Sequence, residues 1–103
     1  MNLSIEKSLN ISPEKCKLIG EFCIFCAEEL PIEGKFSIHV VSDRKKHGIG
    51  TTAVYLVGQN KCAIYGKNRS VPDIMRSIAH EMTHMMQDQM GLLVGPIRDA
   101  GGF

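Results

Sequence analysis

The segment from Ser70 to Gly91 constrains this chain most, because it reads as one long helix with both ends marked. Ser70-Val71-Pro72-Asp73 has the form of a capping box. Ser70 stands as N-cap, Asp73 follows three residues on, and Pro72 lies in the first turn, where a missing N–H costs nothing. Apolar residues then recur at Ile74, Met75, Ile78, Ala79, Met82, Met85, Met86 and Met90, and Gly91 supplies a C-terminal stop. The spacing predicts a helix of about five turns. Asp73, Ser77, His80, His84, Gln87 and Asp88 fall on a separate polar face.

On that helix lies His80-Glu81-Met82-Thr83-His84. Each helical residue advances about 100°, so two histidines four apart project from one face, one turn apart, and both imidazoles reach one metal ion. His80 and His84 are therefore the predicted metal ligands, with Zn2+ as the expected cofactor. Imidazole also suits nickel, copper and iron, so zinc is an inference from ligand type. Glu81 is the predicted catalytic residue. Just outside the ligand shell, its carboxylate would take a proton from a metal-bound water and later pass it to a leaving amine. The same three residues also fit a solvated helix face. Their position well inside a capped helix favours the metal site.

At 103 residues the chain is long enough for one core. A net charge of +1, with basic residues only mildly grouped at Arg44, Lys45 and Lys46, argues against nucleic acid as a partner. No run approaches the roughly 20 apolar residues of a membrane span, and the N-terminus lacks the pattern of a secretory signal. The expectation is a cytoplasmic or virion-associated protein with no membrane partner. Its four cysteines, Cys16, Cys23, Cys26 and Cys62, would be reduced. Cys23 and Cys26 form a C-x-x-C, but no second pair exists to complete a structural zinc. Cys16, Ile19, Phe22, Cys23, Cys26 and Leu30 share one helical stripe, which makes the thiols small core hydrophobes.

Ser12-Pro13-Glu14 opens a first helix that should run to about Glu29, before Pro31. Residues 1–11 read as irregular or a short edge element. Residues 35–41 alternate as a strand, with Phe36, Ile38 and Val40 on one face and His39 on the other. Residues 51–57 and 61–65 are two further strands joined at Gly58-Gln59-Asn60, a hairpin signal. The expected fold class is α+β: an N-terminal helix, a three-stranded, mostly antiparallel sheet, and a C-terminal helix carrying the H-E-x-x-H.

With that motif on the last helix and a small sheet before it, the chain resembles the zincin metallopeptidases. It is most similar to very small intracellular or virus-encoded members, whose motif continues as A-H-E-x-x-H-x-x-Q. Ala79 and Gln87 match the outer positions. The resemblance is specific over residues 71–91 and architectural over 13–66. It implies zinc-dependent peptide-bond hydrolysis, with His80 and His84 as ligands and Glu81 as general base. Gln87 would orient a ligand imidazole, or would be a polar residue on an exposed turn. The resemblance further implies an exposed edge strand, residues 61–65 or a neighbour, that pairs with an extended peptide or protein substrate.

The third ligand is not given by the motif. Asp88 lies about 12 Å along the helix axis from His80, too far for one ion to reach both. Asp99 follows a turn region over residues 91–96. Many zincins take a glutamate from a later helix, which would place the ligand beyond Phe103 and make residues 1–103 a single domain truncated at its C-terminal end. A deformylase-like arrangement would nominate Cys62, without that family's cysteine motif. Oxyanion candidates are His47, Tyr55 and Tyr65. The alternative function is a zinc-stabilised structural or assembly module without turnover; a third is an interaction domain without metal.

Overall fold

The structure, a computed structural model, describes residues 1–92. Four strands and two helices follow in the order β1 (Asn2–Ile5), α1 (Pro13–Glu29), β2 (Ser37–Val41), β3 (Ala53–Leu56), β4 (Lys61–Tyr65) and α2 (Val71–Gln89), with a single 3₁₀ turn at Lys7–Leu9. Both helices begin as their sequences dictate. The hydroxyl oxygen of Ser12 accepts from the Lys15 N–H, and that of Ser70 from the Asp73 N–H. The end of α2 is a Schellman motif: Gly91, at φ 72°, donates to Asp88 O and Leu92 donates to Gln87 O.

The sheet differs from expectation in strand number and direction. It has four strands in the order β1-β2-β4-β3, and only the β3–β4 pair is antiparallel. The short N-terminal element is a true strand, parallel to β2. Helix α1 connects β1 to β2, and a crossover of that kind returns the chain in the same direction. Strands β2 and β3 are consecutive in sequence but do not pair, because β4 inserts between them. Residues 61–65 are therefore interior, and the antiparallel edge strand is β3, their hairpin partner.

Alternation assigns the faces. Ile38, Val40, Ala53, Tyr55, Cys62 and Ile64 point to one side, where Ile19, Cys23 and Cys26 of α1 and Ile74, Ile78, Met82 and Met85 of α2 cover them. Val41, Ile49 and Ala63 form a smaller cluster on the other side, with Val54 and Tyr65 against it. Cys23 and Cys26 are buried core residues and all four thiols are free. Burial first, then the neighbouring Cys26, pushes the Cys23 thiol up to about 12. Among the described residues no helix is long and apolar enough to cross a membrane.

Candidate metal and catalytic site

Helix α2 brings His80, Glu81 and His84 together. The two imidazoles stand edge to face with ring centroids 4.9 Å apart, as one helical turn on a shared face requires. His84 Nδ1 lies 3.1 Å from Gln87 Oε1. An amide oxygen only accepts, so Nδ1 is the donor of this bond and Nε2 is the ring nitrogen left over. That Nε2 is buried and has no hydrogen-bond partner among the described residues. The Nε2 of His80 is buried as well. This geometry suits a pair of imidazole ligands, and Gln87 does what a residue outside the ligand shell must do to fix a ligand ring.

Glu81 departs from the expected picture in one respect. Its side chain is turned to the sheet and only 1% exposed, with both carboxylate oxygens buried. It acts electrostatically on Cys62 of β4. The Cys62 thiol is raised well above its usual range by burial first, then by the Glu81 carboxylate and by Cys23. Cys62 is part of the core between the sheet and the helices and joins no metal-ligating group with the two histidines among the described residues. Ser77 also leaves the expected polar face. It is buried, and its hydroxyl accepts from an Arg69 guanidinium that also donates to Tyr65 O and Asp73 O.

Asp88 is committed elsewhere. Its Oδ2 accepts from the Tyr55 hydroxyl at 2.5 Å and from the Gly58 N–H at 2.8 Å. Those two bonds hold its carboxyl below the usual range. Burial, then the Asp88 bond, drives the Tyr55 hydroxyl far above its ordinary value. Next along the chain, Gln89 donates to Glu33 O and Asn60 Oδ1 and accepts from Glu33 N–H. The turn after the motif thus binds the β3–β4 loop and the α1–β2 link. Sequence reasoning missed these tethers because their partners lie far away in the chain and no local pattern announces them.

Of the proposed oxyanion donors, only Tyr55 faces the helices, and its proton goes to Asp88. Tyr65 sits on the opposite face beneath the Arg44 guanidinium, 5.0 Å from its ring centre. His47 lies 3.9 Å from Glu6. Among the described residues no third His, Cys, Asp or Glu joins the histidine pair. Asp99 lies outside the described residues.

No protein-family model matches the chain, and neither a curated protein nor a solved structure shows significant similarity to it.

Proposed function

We propose that this chain is a zinc-dependent peptide-bond hydrolase. The observation that carries the reading is His84, whose Nδ1 is held by Gln87 while its buried Nε2 has no hydrogen-bond partner among the described residues and its ring stands beside the imidazole of His80. Glu81 supports it. Its carboxylate stands one position along α2 from His80, within the H-E-x-x-H. Zinc, when bound, supplies a Lewis acid that polarises a carbonyl and brings the pKa of water toward neutrality. His80 and His84 would hold it. Glu81 accepts the proton of the attacking water and delivers it to the departing amine. The outer edge of β3, packed against α2 and covered by no described strand, offers main-chain donors and acceptors to an extended peptide, which favours an unfolded or loop segment as substrate.

The test is Glu81→Gln in zinc-loaded protein with an unstructured polypeptide as substrate. Zinc binding should survive and cleavage should disappear. Full activity in the variant would sink the mechanism. The alternative reading is a zinc-stabilised module without turnover. That alternative requires His84→Ala to unfold the domain; the hydrolase reading requires the variant to stay folded and inert.

A further inference from the structure

The β3–β4 register identifies which groups of the edge strand face outward. Tyr65 N–H donates to Thr52 O, and the pairs that follow are Ala53↔Ile64, Val54↔Ala63, Tyr55↔Cys62 and Leu56↔Lys61. Hydrogen-bonded and non-bonded pairs alternate in an antiparallel ladder, so Val54 and Leu56 bond to β4. The N–H and C=O of Ala53 and Tyr55 are turned to the edge that no described strand covers. Tyr55 is thus divided between two tasks. Its backbone is presented at the edge, while its side chain passes under α2 and donates to Asp88, one turn past His84.

We propose that Asp88 is a positioning residue: through Tyr55 and Gly58 it locks the edge strand to the zinc helix and so sets where a peptide paired with β3 lies relative to His80, Glu81 and His84. This inference rests on the hydrolase reading. Asp88 lies too far along α2 from His80 to share its ion, and its carboxylate is spent on the strand. The lock has two points, the phenol in mid-strand and the amide of Gly58 in the following turn. Together they restrain both translation and tilt of β3. Accurate placement matters because an error of about 1 Å between reacting groups costs on the order of 100-fold in rate.

The experiment compares wild type with Tyr55→Phe, Asp88→Ala and Asp88→Asn, each loaded with zinc. It measures zinc affinity, kcat and KM per zinc-bound molecule, and amide exchange at Gly58 and Val54. Tyr55→Phe and Asp88→Ala should keep wild-type zinc affinity, exchange those amides faster, and lose about tenfold to 100-fold in kcat/KM, carried mainly by kcat. Asp88→Asn, which retains an acceptor, should recover part of the loss. A merely structural role would lower the melting temperature and leave turnover per zinc-bound molecule unchanged. That result in an active wild type overturns the positioning role alone. A zinc-loaded wild type that cleaves nothing overturns the hydrolase reading and this inference with it.

Discussion

His84 Nδ1 and Gln87 Oε1 are 3.1 Å apart, three residues from each other on α2, and this contact orients the His84 ring. Residues that hydrogen-bond a metal-binding side chain and orient it typically contribute about tenfold to 100-fold in metal affinity. Gln87→Ala should weaken zinc binding by that factor, and Gln87→Glu, which keeps an acceptor oxygen, should not. Competition against a chelating dye measures both. Equal affinity in wild type and Gln87→Ala would show that Gln87 is only a polar residue on an exposed turn.

The Asp88 carboxyl is lowered below 3.8 by the Tyr55 hydroxyl and the Gly58 amide. A group whose folded pKa is depressed contributes stability that is present above its unfolded pKa and lost as pH falls through the folded value. Wild type should therefore lose stability between 3.8 and the lower folded pKa in part through Asp88. Asp88→Asn should show a shallower fall over that window, because Asp73 and Glu6, also depressed, continue to titrate. Thermal melts across the acid range decide this; superimposable pH profiles would mean that the Tyr55–Asp88 bond does not form in solution.

Much of this architecture could be read from the chain alone, and what could not has a common cause. Both helices carry their own boundaries in Ser12-Pro13 and Ser70-Val71-Pro72, and the alternation at Phe36, Ile38 and Val40 named the buried face of β2. The histidine pair was legible because its geometry is local to one helix. Strand order was not, because the insertion of β4 between β2 and β3 is decided by long-range pairing. The inward turn of Glu81 and the Tyr55–Asp88 bond depend on how α2 sits over the sheet, which no short window of sequence contains.

Gly66 follows β4 at a point where elements approach closely. A Cβ there would lie 2.7 Å from Val40 Cγ1 and 3.2 Å from Leu9 Cδ1. The branched Val40 side chain has little freedom to withdraw. Gly66→Ala should cost about 1–3 kcal/mol, as overpacking of a core does. A denaturant midpoint equal to that of wild type would contradict the close approach.

Among the four thiols only Cys16 is partly exposed; Cys23, Cys26 and Cys62 are buried. A thiol reagent added to the native protein should label one cysteine rapidly and the remaining three only on unfolding. Rapid native labelling of Cys62 would contradict its burial between β4 and the helices.

The proposed site has His80 and His84 as the ligands of one zinc ion. Its most direct test is calorimetric titration of zinc into metal-stripped protein, with His80→Ala and His84→Ala alongside. One zinc per chain in wild type, with affinity lost in both variants that nevertheless stay folded, is the predicted result. A wild type that is folded and takes up no zinc, or takes it up equally in both variants, would contradict a zinc site at His80 and His84.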